Sequence, residues 1–113
     1  MKSKIVSLSK NEDFKSLLSG KKLSNKYFTI FFKKLINKNN KNLNISFITK
    51  KKIGNAVKRN KIKRRLKNMI NDAVKKIKIN FNYSYLIIAK NTVLKDKYIN
   101  IKQTLFSDFE RIK

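Results

Sequence analysis

The chain has 113 residues, with 30 Lys and Arg against 6 Asp and Glu for a net charge of +24, and 41% of its residues are apolar. That length and apolar share suit one modest core and leave nothing for a second. Cys and His are absent, which excludes disulfides, thiolate metal sites and imidazole chemistry, so no catalytic or metal-ligating set is expected from the chain itself.

In chain order, the opening MKSKIVSLSK lacks the apolar stretch of a secretory signal. Ser9 followed by Glu12 has the spacing of a capping box, and Phe14, Leu17 and Leu18 recur at helical intervals. Gly20 then offers a left-handed stop, so a short first helix is expected. Residues 27–32 (YFTIFF) read as a strand with Phe28, Ile30 and Phe32 on one face and Tyr27, Thr29 and Phe31 on the other. After a polar, turn-prone stretch at 38–42, Leu43, Ile45 and Phe47 alternate with Asn44 and Ser46, and the two strands are expected to pair as an antiparallel hairpin with a long loop.

Gly54 breaks the pattern and Asn55 is a competent N-cap. Beyond it Ile62, Leu66, Met69, Ile70, Ala73 and Ile77 fall within one arc at 100° per residue, which predicts a long amphipathic helix. Residues 83–89 (YSYLIIA) form a mostly buried strand, whose apolar run is too short to span a bilayer. From Asp96, a second possible cap, Tyr98, Ile101, Leu105, Phe109 and Ile112 stripe a terminal helix. The expected fold is α+β, an α/β sandwich in the order αββαβα, with residues 1–113 forming a single RNA-binding domain in a cytoplasmic protein.

The RNA-binding expectation comes from charge placement. Residues 50–67 (KKKIGNAVKRNKIKRRLK) hold ten Lys and Arg, and no Asp or Glu occurs from Phe14 to Asn71. A solvated helix face ordinarily mixes signs so that residues four apart can pair, whereas this one has no anion to pair with. On the wheel, Asn60, Arg64 and Lys67 oppose the apolar arc, Lys61, Arg65 and Asn68 flank it on one side, and Arg59 and Lys63 on the other. One helix therefore serves the core and a polyanion together. An anionic membrane would need the apolar arc free, but the sheet claims it. A major-groove DNA reader would need a helix just ahead of the reading helix, where this chain has a strand.

The stretch 51–64 (KKIGNAVKRNKIKR) resembles the signature of the bacterial ribonuclease P protein subunit family, in which Arg-Asn-Arg is followed by a basic pair, and NEDF at 11–14 matches a second motif at the expected distance upstream. The resemblance implies a left-handed βαβ crossover. It also implies two partners: a catalytic RNA, met by Arg59, Asn60, Lys61, Lys63, Arg64 and Lys67 on the motif helix, and precursor tRNA, whose single-stranded 5′ leader lies in a cleft formed by Phe14, Leu18, Phe31, Lys50 and Lys51. Lys61 and Lys67 stand where the family more often has Arg and keep charge without bidentate reach, and Leu18 stands where it often has an aromatic. Chemistry would come from the RNA, with Mg2+ held chiefly by RNA, no intrinsic cofactor, and neither membrane nor small-molecule substrate. A non-catalytic RNA-binding structural protein, such as a small ribosomal protein, is the alternative; it would share the basic helix without needing the NEDF helix or the cleft aromatics.

Overall fold

The structure is a computed structural model that describes residues 5–6, 17–34 and 43–112. The expected capping box, the NEDF motif with Phe14, and the 38–42 loop lie outside the described residues. Leu17 and Leu18 are helical and lead through a turn into β2 (Lys21–Ser24), followed by β3 (Phe28–Lys34) and β4 (Leu43–Thr49). A 3-10 turn (Lys51–Ile53) introduces the long helix α1 (Ala56–Lys76), after which come β5 (Tyr83–Ala89), a second 3-10 turn (Asn91–Leu94) and α2 (Tyr98–Arg111). A two-residue strand β1 (Ile5–Val6) completes a five-stranded sheet in the order β1-β4-β5-β3-β2. From β3 onward the expected order of strands and helices survives, with β1 and β2 added at the edges; of the expected first helix, Leu17 and Leu18 lie among the described residues.

The hairpin expectation is corrected. β3 and β4 are not neighbours: β5 lies between them, antiparallel to β3 from Phe28↔Ala89 to Lys34↔Tyr83, and parallel to β4 from Asn44↔Ser84 to Thr49↔Ala89. Burial on both faces explains this position. Tyr85, Ile87 and Ala89 join the core under the helices while Leu86 and Ile88 face the other side, and a strand apolar on both faces is most stable at the centre. β4, α1 and β5 thus make a βαβ unit of adjacent parallel strands. β3 antiparallel to β2 closes the other edge, from Lys21↔Phe32 to Ser24↔Thr29.

Both helices cover one face. Ile62, Leu66, Met69, Ile70 and Ala73 of α1, and Ile101, Leu105 and Phe109 of α2, are buried against Phe28, Ile30, Leu43, Ile45, Tyr85 and Ile87. The Tyr85 ring packs 5.1 Å from Phe109 and its hydroxyl donates to the Asn80 carbonyl at 2.6 Å, so a fully buried polar group keeps a partner. On the opposite face Leu17 packs on Leu86 with Phe31, Ile48 and Ile88 around them.

Gly20 does not take the expected left-handed conformation; among the described residues Gly54 is the glycine with positive φ. Gly20 is needed for space: a Cβ there would lie 2.8 Å from the Phe32 carbonyl oxygen, because the chain enters β2 directly against β3. The expected cap at Asp96 is displaced by one residue. Lys97 is the N-cap of α2, and the Asp96 carboxylate instead accepts from the Lys97 N–H at 2.7 Å and the Asn100 amide at 3.0 Å.

Candidate nucleic-acid interface

Asn55 caps α1 as its side-chain oxygen accepts the Lys58 N–H at 2.9 Å. Gly54 ahead of it sits at φ 157°, ψ −166°, a region open chiefly to glycine, and sets the angle at which the chain leaves the 3-10 turn for the helix. From that start the 3.6-residue period sends Ile62, Leu66 and Met69 inward and leaves Asn60, Lys61, Lys63, Arg64 and Lys67 exposed. The two flanking arginines differ. Arg65 is half-buried, donating from Nη1 to the Val93 carbonyl at 3.1 Å and lying 5.7 Å from the centre of the Tyr98 ring, so it ties α1 to the second 3-10 turn and α2. Arg59 is also half-buried, and its Nε is enclosed with no acceptor among the described residues.

A groove of about 560 Å³ opens where β3, β5 and the two 3-10 turns converge. Phe31, Thr29, Ile53, Ile88 and Ala89 line it together with Lys22, Lys50, Lys52, Lys90 and Asn91. Of the residues expected in a cleft, the groove takes Phe31 and Lys50. Leu18 is half-exposed and outside the lining, because adjacent helical positions diverge by about 100° and Leu17 is the one turned onto Leu86. Lys51 also lies outside it: in a 3-10 turn neighbours diverge by about 120°, and Lys52 lines the groove in its place. Phe31 is half-buried, with the Lys22 ammonium 6.0 Å from its ring centre.

The groove rim is fixed by polar contacts to the turn between β2 and β3. Asn25 accepts the N–H groups of Tyr27 at 2.7 Å and Phe28 at 3.0 Å, and its amide donates to the buried Asp108 carboxylate of α2 at 2.7 Å. The Lys90 ammonium donates to the Asn25 carbonyl at 2.5 Å and lies 3.3 Å from Ser24 Oγ, while the Thr92 hydroxyl donates to the Lys26 carbonyl. The buried Tyr27 donates its hydroxyl to Asp96. That bond first, and then those from Asn100 and Lys97, hold the Asp96 carboxyl down at about 2, while the same partnership raises the Tyr27 phenol above its ordinary value.

Three of the described acids are committed elsewhere. Asp72 binds the Lys102 ammonium at 2.8 Å, which lowers its carboxyl below the usual range; Asp96 and Asp108 are engaged as described. No group of three or more potential metal ligands exists among the described residues. Among the described residues, then, no donor set fits a resident magnesium ion.

The sequence model of the family described as Ribonuclease P matches residues 2–113. The chain is 36% identical over 100 residues to the ribonuclease P protein component of Mesoplasma florum, covering 87% of this chain and 86% of that one. To the component of Carboxydothermus hydrogenoformans it is 33% identical over 102 residues, covering 87% and 83%. Among solved structures, the fold superposes on the RNase P protein of Thermotoga maritima with a TM-score of 0.78 at 23% identity, covering 96% of this chain and 98% of that one. For that of Staphylococcus aureus the TM-score is 0.70 at 26% identity, covering 94% and 93%. With an exposed cationic helix face beside an aromatic, lysine-walled groove, and a match along almost its whole length, the chain belongs to the ribonuclease P protein family.

Proposed function

We propose that residues 1–113 act as one RNA-binding domain that presents the exposed face of α1 to a catalytic RNA and holds the single-stranded 5′ leader of precursor tRNA in the groove around Phe31. As a ribonuclease P protein component, the chain is the subunit that assists the RNA in maturing tRNA 5′ ends. The observation that carries the division of labour is geometric. α1 begins at Ala56, three residues beyond the 3-10 turn from which Lys52 lines the groove, so two polyanions can be bound side by side with cations between them. Counterion release and screening of RNA–RNA repulsion would then supply the affinity, and stacking on Phe31 the grip on unpaired bases.

The chain's own residues bind and orient; they do not perform acid–base chemistry. His and Cys are absent, and the described acids other than Glu110 are bound to Lys102, Tyr27 or Asn25. Magnesium belongs with the RNA phosphates in this reading, and the cytoplasm, where tRNA precursors are matured, is the compartment; no helix of the described residues is long and apolar enough to cross a membrane. Phe31→Ala tests the groove. It should weaken binding of precursor tRNA by about 1–3 kcal/mol while leaving mature tRNA nearly unchanged. Equal losses for both substrates would remove the leader from the groove, and specific leader removal by nuclease-treated protein alone would overturn the division of labour.

A further inference from the structure

A second cavity, of about 600 Å³, lies ahead of the N-terminal end of β5, whereas the Phe31 groove reaches the other end of that strand at Ile88 and Ala89. Its volume falls within the roughly 300–1,000 Å³ of small-ligand sites. The buried Ile79 and Ile112 line it, together with Phe81, which is half-buried and packed against the core. One wall is fixed by its own hydrogen bonds: the Asn80 side-chain oxygen accepts the Asn82 N–H at 2.8 Å, and the Asn80 carbonyl accepts the Tyr85 hydroxyl at 2.6 Å. Two exposed charges of opposite sign, Lys78 and Glu110, complete the lining, and Lys75 and Lys76 in the last turn of α1 lead up to it. Glu110 is the anomaly. Asp72 has Lys102 at 2.8 Å, Asp96 has Lys26 at 3.8 Å and Asp108 has Arg111 at 3.9 Å, yet Glu110, on a chain of net charge +24, has no ion-pair or hydrogen-bond partner among the described residues.

We propose that this cavity is a guanine-nucleotide site, separate from the Phe31 groove, in which Glu110 reads the base, Phe81 supports it and Lys78 meets its phosphate. A carboxylate offers two acceptors side by side and no donor. Guanine is the base whose Watson–Crick edge sets two donors next to each other, N1–H and N2–H. Adenine and cytosine set a donor beside an acceptor there, and uracil sets one donor between two acceptors. Glu110 can therefore pair with guanine through both oxygens, and against any other base one of its oxygens meets a lone pair. Phe81, Ile79 and Ile112 give the base an apolar surface, and the Lys78 ammonium, which only donates, suits a phosphate oxygen. The same chemistry is carried by a free guanine nucleotide and by an unpaired guanosine in RNA, and the two sources are separated by experiment.

Because any nucleotide is drawn to so cationic a chain, the test compares ligands of equal charge. The full chain is titrated with GMP, IMP and AMP, and with a short uridine oligonucleotide carrying one central guanosine or none, while the backbone amide signals of Phe81 and Glu110 are followed by NMR. The guanine probe should bind tighter than its partner by about fivefold or more, with IMP, which lacks N2–H, falling between GMP and AMP. Glu110→Gln replaces one acceptor by a donor and should bring GMP to within about twofold of AMP, with an unchanged melting temperature because the side chain is exposed and holds nothing in the fold. A guanine preference with the oligonucleotide alone assigns the cavity to RNA, and one with GMP assigns it to the free nucleotide as well. Equal binding within both pairs of probes, or a preference that persists in Glu110→Gln, overturns the inference. Phe31→Ala should leave the preference intact; if it abolishes the preference, the nucleotide sits in the groove and the second site fails, whatever the fate of the leader assignment.

Discussion

Asp96 shows what a single carboxylate contributes to the groove. Its folded value of about 2 lies below that of a free aspartate at about 3.9, so its contribution to stability is fully present above pH ~4 and is lost as pH falls through that interval. Asp72 is shifted in the same direction by Lys102 and adds to the loss over acid pH. Tyr27 works at the other extreme, where its raised phenol favours the fold until pH climbs through that raised value. Asp96→Asn should therefore lower the melting temperature at neutral pH and make it less sensitive to acid between pH ~4 and ~2, as read by thermal melts across that range. The two motif arginines should also part company. Arg64 is exposed, and Arg64→Ala should cost about 1–3 kcal/mol of catalytic-RNA affinity, most of it restored by Arg64→Lys. Arg59 is half-buried with its Nε enclosed, so Arg59→Lys, which keeps charge but loses the planar guanidinium, should fail to restore the affinity lost in Arg59→Ala in the same binding assay.

Among the elements, β2 depends on the tight entry at Gly20. Gly20→Ala would set a methyl 2.8 Å from the Phe32 carbonyl, a backbone atom that cannot swing aside, and should cost about 1–3 kcal/mol in urea unfolding. Full retention of stability would mean that β2 does not press on β3 there. The helices and β5 were legible because each carries its own period or run, as Ile62, Leu66 and Met69 do. β2 was not, since Lys21-Lys22-Leu23-Ser24 has no alternating apolar pattern, as suits a lysine-bearing edge strand. The hairpin misread two strands adjacent in sequence as adjacent in space, whereas the order is decided by β5, whose side chains demand cover on both faces. The charged face of α1 could be read because one helix holds it. Most of the groove could not: Lys22, Thr29, Ile88 and Asn91 come from separate elements that only the sheet order brings together.

For the whole molecule the dominant fact is a net charge of +24 with few anions to oppose it. Compaction brings these cations within a screening length of one another, about 8 Å at physiological ionic strength, and anything that binds only the folded arrangement offsets the repulsion. Sulfate or phosphate should raise the melting temperature over chloride at matched ionic strength, with RNA raising it further. Identical melts in all three would show that the basic face of α1 does not collect anions as a folded surface.

The same feature governs the route to the fold. β4 and β5, joined along Asn44↔Ser84 to Thr49↔Ala89, are connected through α1, so closing the centre of the sheet brings together segments separated by the whole helix. The segment between them is the one whose outer face repels itself most, and a pairing so distant in sequence is intrinsically slow. Polyanion binding should therefore act on the forward rate. In stopped-flow refolding, phosphate should accelerate the folding limb more than it retards unfolding, placing the docked, neutralised α1 in the transition state. A nascent chain of this kind would mature fastest beside the RNA it serves.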